Sequence, residues 1–122
     1  MEYDSYVAVK SQSAPGVTYL LAKMSFGRRV ELTKRIWELA QRIEFLRAGE
    51  DLKDKIQSAV LSAEVERTYV LWGVKEIPGL TVDGKPATAE SLIEAGPEDL
   101  FREAVAAVRA QCGLTEAERK NS

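Results

Sequence analysis

The chain has no histidine and a single cysteine, Cys112, among 122 residues. The missing histidines remove the commonest general base, the commonest metal ligand and every Ser-His or Cys-His nucleophile pair. A lone cysteine forms neither an internal disulfide nor a thiolate zinc site. In the last turn of a helical pattern before Gly113, Cys112 reads as a small buried residue, which fits a reduced, cytoplasmic setting. No run approaches the roughly 18 apolar residues of a membrane span. The opening Met-Glu-Tyr-Asp-Ser has neither the basic start nor the apolar stretch of a signal peptide. An excess of either charge is also missing: 17 basic against 19 acidic residues leave a net charge of −2. Nucleic acid is therefore not expected as a whole-surface partner, because neutralising phosphates takes a concentrated basic face.

Carboxylates are plentiful but badly spaced for catalysis. Glu64 and Glu66, like Glu98 and Asp99, lie one or two positions apart, and such neighbours do not share a helix face. The better-spaced Glu94 and Glu98 are separated by Gly96-Pro97. The sequence is expected to be non-enzymatic, with no cofactor and no metal.

What the chain does contain is 45% hydrophobic and 30% charged residues, the balance of a globular domain. Its length suffices for one domain, residues 1–122, with a real core. The predicted class is α+β, mostly α. Ser5–Lys10 and Val17–Lys23 are rich in strand formers and flank the turn signal Pro15-Gly16, so residues 5–24 predict a β-hairpin. Two strands alone are barely stable in water, so this hairpin must pack on a helix or pair with another chain's edge.

Residues 26–48 and 50–77 predict two long helices joined at Gly49, whose place favours left-handed backbone. Ser25 offers the first N-cap. Leu32, Ile36, Leu39, Ile43 and Leu46 recur at spacings of four and three, an unbroken apolar stripe. Leu52, Ile56, Ala59, Val60, Ala63, Val70 and Val74 form the expected stripe of the second helix, interrupted near Glu66 and Arg67. At 1.5 Å per residue the first helix spans about 35 Å, and the pair predicts an antiparallel helical hairpin.

Pro78-Gly79 ends the second helix, and Asp83-Gly84 predicts a tight turn within residues 78–87, kept short and at an edge by Pro86. Thr88 caps a short helix over Ala89–Ala95, and Pro97 restarts a helix that ends at Gly113. Thr115 to Glu118 form a capping box, followed by the polar residues of the tail 114–122.

Phe26, Val30, Thr33, Trp37 and Ala40 make a second apolar strip beside the first. A two-helix hairpin covers only one strip, so the terminal hairpin, the last helix or a partner must cover the other. Trp72 reads from its own setting as core. The first helix carries Arg28, Arg29, Lys34, Arg35, Arg42 and Arg47 against Glu31, Glu38 and Glu44, and three Glu–Lys or Glu–Arg pairs have ion-pair spacing. That reads as a solvated face, because no aromatic is interleaved for base stacking.

Met24-Ser25-Phe26-Gly27-Arg28-Arg29-Val30-Glu31-Leu32, a strand pair running into a Ser-Phe-Gly helix start, resembles small tail assembly chaperones of tailed phages and prophages. Trp72-Gly73-Val74-Lys75-Glu76-Ile77-Pro78-Gly79-Leu80, Asp83 to Thr88, Gly96 to Leu100 and Gly113 to Asn121 are similar to proteins of phage tail gene regions. The resemblance covers residues 16–121. It implies a cytoplasmic protein of the bacterial host that binds the tape measure protein, keeps that long helical chain soluble and recruits tail tube subunits. It also implies that Phe26, Arg28, Arg29 and Trp72 face the partner. The apolar strip adds Val30 and Trp37. Two other readings stay open: a structural subunit of the phage particle, incorporated through strand or helix exchange, and a small DNA-binding regulator using the Arg-rich helix; a homo-oligomer is compatible with either.

Overall fold

The β-hairpin predicted at the N-terminus is formed by β1 (Tyr6–Lys10) and β2 (Thr18–Ala22), antiparallel from Tyr6 opposite Ala22 to Lys10 opposite Thr18. A computed structural model describes residues 1–113, so the capping box and polar tail expected beyond Gly113 lie outside the described residues. The helices α1 (Phe26–Arg47) and α2 (Leu52–Gly73) follow. After them come β3 (Val74–Glu76), the two-residue strands β4 (Thr81–Val82) and β5 (Lys85–Pro86), α3 (Ala89–Ala95) and α4 (Glu98–Gln111). The architecture is α+β and mostly helical, as the patterning predicts.

One boundary differs in a way that matters. The second helix does not run to residue 77: it stops at Gly73, and Val74–Glu76 forms a third strand on the free side of β2. Two local facts account for this. Gly73 packs so tightly on α4 that a Cβ there would sit 2.6 Å from Val108 Cγ1. Val74 is β-branched, which suits the strand that follows. Pairing to β3 and packing against α4 answer the need for support expected of the hairpin, and both come from the same chain. Among the described residues β1 and β3 are the two edge strands of this sheet.

Capping follows the sequence closely. The Ser25 Oγ accepts the Arg28 N–H at 3.2 Å, and Thr88 and Ser91 exchange side-chain and backbone hydrogen bonds in a reciprocal box. Pro97, expected at the first helical position, is itself the N-cap of α4, so the helix starts one place later, at Glu98. Asp83 and Gly84 take positive φ values of 51° and 79°, the backbone a tight hairpin between β4 and β5 requires. Gly49 corrects its prediction: its φ is not left-handed, and α1 ends on Ala48 in right-handed geometry. A Cβ at Gly49 would meet the Asp54 side chain, whose carboxylate would have to swing aside.

The core gathers at one end of the molecule. Tyr19 and Leu21 of β2, Leu32 of α1, Val70 of α2, and Ala104, Val105 and Val108 of α4 all pack into it, with Ile77 and Leu92 beside them. Each large apolar side chain buried there contributes about 1.5–3 kcal/mol relative to exposure. Away from that end the helical hairpin is supported by its own two helices, with Ile43 and Ser58 the buried residues of its far half.

Val70 and Val74 of the expected stripe are buried in the core, but the first half of the second helix presents a different face from the one expected. Leu52 is 70% exposed, and Ile56 and Val60 are 57% exposed. The side turned inward instead carries Ser58, Leu61, Ser62, Val65 and Tyr69, spaced by three and four. Serines serve there because their hydroxyls bond back to the helix, Ser58 to Lys55 O at 2.8 Å and Ser62 to Ser58 O at 2.9 Å. This leaves small, satisfied surfaces where α1 approaches closely.

Candidate protein-binding surface

Two apolar strips run along α1 as the sequence predicts, and the structure covers one. Leu32 and Ile43 are buried and Ile36, Leu39 and Leu46 half-buried on the side toward α2. On the second strip Phe26 is 86% exposed, Trp37 58% and Val30 39%. The terminal hairpin and α4, the two elements the sequence offered as cover, pack instead on each other and on the C-terminal half of α2. Among the described residues nothing lies over the line from Phe26 to Trp37.

The basic residues of α1 divide by role. Arg28 is turned inward, its Nη1 donating to the Ser5 carbonyl at 2.6 Å and the Lys23 carbonyl at 2.9 Å, with the guanidinium 4.7 Å from the Tyr6 ring centre. It ties the hairpin to α1, a role the resemblance did not imply. Arg35 pairs with Glu31 at 2.8 Å, one of the helical ion pairs expected. Arg29 is exposed and borders a hollow of about 280 Å3 beside Trp37, floored by Leu32, Ile36, Tyr69 and Cys112. Trp72 is half-buried against the core, in line with its own sequence setting.

A second hollow, of about 390 Å3, continues along the same side of α1, sharing Ile36, Ala40 and Tyr69 with the first. Arg47 and Arg109 border it, with Glu44 the one carboxylate on its lining. The Arg109 guanidinium stacks 5.0 Å from the Tyr69 ring centre, and its Nε is buried without a hydrogen-bond partner. Sequence reasoning missed Tyr69 and Arg109. Their 40-residue separation hides a contact that exists only once α4 is laid across α2.

Burial pushes the Cys112 thiol upward at the floor of the first hollow, with Arg29 and Arg109 pulling the other way. That is the setting of an inert packed thiol, in keeping with the expectation for this residue.

The carboxylates behave differently from their spacing. Glu64, Glu66 and Glu98 border one hollow of about 330 Å3 between α2, α3 and α4, where Arg67 and Arg102 also lie. Glu66 is engaged by Arg102, and Arg67 donates to Glu94 at 2.6 Å, so the charges that interrupt the α2 stripe tie it to α4 and α3. No cluster of three or more potential metal ligands occurs among the described residues, and no described helix is long and apolar enough to cross a membrane.

Glu103 is the most heavily bonded side chain. It accepts from the Ser11 hydroxyl, the Gln12 N–H at 3.0 Å, the Ser13 N–H and hydroxyl at 3.1 Å, and the Tyr19 hydroxyl at 2.7 Å. Burial raises its carboxyl pKa, but these donors outweigh burial and hold it at about 2. Burial and the same carboxylate push the Tyr19 phenol up. The arrangement locks the β1–β2 turn onto α4 and leaves the carboxylate no free lone pair for chemistry.

No protein-family model, curated protein or solved structure matches this chain.

Proposed function

We propose that the protein is a non-enzymatic phage tail morphogenesis factor of the assembly-chaperone type, which acts in the host cytoplasm by holding a long helical partner such as a tape measure protein, together with tail tube subunits. The observation that carries the reading is the uncovered strip of Phe26, Val30 and Trp37 along a 22-residue helix. An apolar line of about three turns, from Phe26 to Trp37, matches part of the seam of a second helix laid alongside. Large exposed apolar residues in a row on an isolated chain mark a place where something else sits.

Co-expression with neighbouring tail proteins tests it. A complex with the tape measure protein that survives purification, and that Trp37→Ser abolishes, is the expected result. Failure of every such partner to co-purify overturns the reading.

A second reading, a structural subunit of the particle, draws support from the unpaired edge of β1, which offers a template for strand addition. Mass spectrometry of purified particles separates the two, because a chaperone is absent from the finished particle.

A further inference from the structure

We infer that the groove flanking the exposed strip of α1 takes an acidic amphipathic helix, whose apolar side chains enter between α1 and the α2–α4 junction and whose carboxylates meet Arg29, Arg47 and Arg109. The inference rests on the proposed function and specifies the chemistry of the partner.

The two hollows on this side of α1 meet at Ile36, Ala40 and Tyr69, making one continuous trough. From Arg29 to Arg47 it follows the helix for about 27 Å at 1.5 Å per residue, a length that a straight helix of about 20 residues fills. The first hollow is mainly apolar and the second mixes Ile43 and Val65 with Ser62, while the border carries three guanidinium groups against the single carboxylate of Glu44. None of those three arginines makes an ion pair among the described residues, although Arg35, Arg67 and Arg102 all do. The trough lining is thus net positive, in a chain whose total charge is −2.

Arg109 sharpens the point. Stacking on Tyr69 holds its guanidinium at the trough border, and its buried Nε lacks a partner. A carboxylate arriving on the remaining guanidinium nitrogens engages a donor already fixed in place, so little side-chain freedom is lost on binding. Trp37, Tyr69 and arginines are also the residue types that dominate binding energy at interfaces.

A second copy of this chain fits less well. Laid antiparallel along its own strip, α1 brings Arg29 of one copy toward Arg47 of the other, a like-charge contact. Nucleic acid would use the arginines but not the apolar floor, which no phosphate fills.

The test uses the full chain and two fluorescently labelled helical peptides of about 20 residues. Both carry the same leucine seam, one flanked by glutamate and the other by lysine. The glutamate peptide is expected to bind at least about tenfold more tightly, to weaken as salt rises, and to lose about tenfold in affinity with Arg29→Glu or Arg47→Glu. Both of those residues are exposed, so folding is not at stake, and Arg109→Gln adds a third variant. Equal binding of the two peptides, lost with Trp37→Ser, overturns the acidic partner while the proposed function stands. Binding of neither peptide overturns the inference, and the co-expression experiment then judges the function independently. Displacement of the glutamate peptide by short duplex DNA assigns the arginines to phosphate and overturns it. So does a dimer in sedimentation that Trp37→Ser dissociates, because the strip is then filled by a second copy.

Discussion

The hydroxyl of Tyr19, fully buried in the central strand of the sheet, donates to the Glu103 carboxylate at 2.7 Å across 84 residues of chain. With Ser11, Gln12 and Ser13 donating to the same group, one ionised side chain joins the first turn of the protein to its last described helix. Its pH response has a defined sign. The folded-state pKa is depressed to about 2 from an ordinary value of 4.5, so the stabilisation is complete above about 4.5 and is lost as pH falls through about 2. Because the carboxylate is only half-buried, solvent screening reduces its contribution to about 1–2 kcal/mol. Glu103→Gln is expected to lower stability by about that amount at neutral pH. Urea unfolding at a series of pH values checks it: the gap between wild type and variant closes over the acid window.

Gly73 and Val108 predict a steric experiment. A Cβ at residue 73 meets Val108 Cγ1 at 2.6 Å and Cγ2 at 2.8 Å, and both residues are buried. Gly73→Ala is expected to cost about 1–3 kcal/mol by overpacking, despite alanine's better helix propensity. Val108→Ala made in that background should cost less than it does in wild type, because the two changes relieve one another. Urea midpoints of the four proteins in the double-mutant cycle decide it, and simple additivity refutes the contact.

Exposed and buried apolar residues predict opposite outcomes. Trp37→Ser, at a side chain 58% exposed, is expected to change stability by no more than about 0.5–1 kcal/mol while removing partner binding. Leu21→Ala, at 0% exposure, is expected to cost about 2–5 kcal/mol. Thermal unfolding of both variants, alongside partner pull-down for Trp37→Ser, separates surface from core. A Trp37 variant as unstable as the Leu21 variant would mean that the strip is part of the fold.

Cys112 is 2% exposed, and burial raises its thiol pKa. It is expected to react with a soluble disulfide reagent at a rate set by opening of the α4 end, and to reach the rate of a freely exposed thiol only in denaturant. Stopped-flow absorbance with and without urea measures this. Immediate stoichiometric reaction of the native protein contradicts the packing described around the first hollow.

How much was legible in the sequence depended on whether the signal was local. Ser25, Thr88 and the Asp83-Gly84 pair act within a few residues of themselves, and the caps and turn they announce are formed. The five-residue stripe of α1 declared the face turned to α2, because period and length agreed. The reverse held for α2. Leu52, Ile56 and Val60 make the more apolar line, yet Ser58 and Ser62 face inward, with their hydroxyls satisfied by bonds back to the helix. Val74–Glu76 continues a helical pattern in sequence and becomes a strand only because β2 offers a vacant edge and Val108 occupies the space beside Gly73. Of the surface residues, Phe26, Val30 and Trp37 were visible from periodicity, whereas Tyr69 and Arg109 meet by tertiary packing that no spacing rule encodes.

The sheet pairing carries a final consequence for the helical hairpin. Leu21 and Val74 are partners across two adjacent strands, so the chain leaves the sheet, travels out along α1, turns at Gly49 and returns along α2 to the point of departure. The hairpin is therefore a cantilever whose two roots are clamped side by side and whose far half touches no other element of the core. Its length is a free design parameter: removing seven residues from each arm at facing positions shortens the reach by about 10 Å, two helical turns, while the clamp is untouched. Reach, rather than the identity of any one side chain, is thus the property that this architecture leaves open to adjustment.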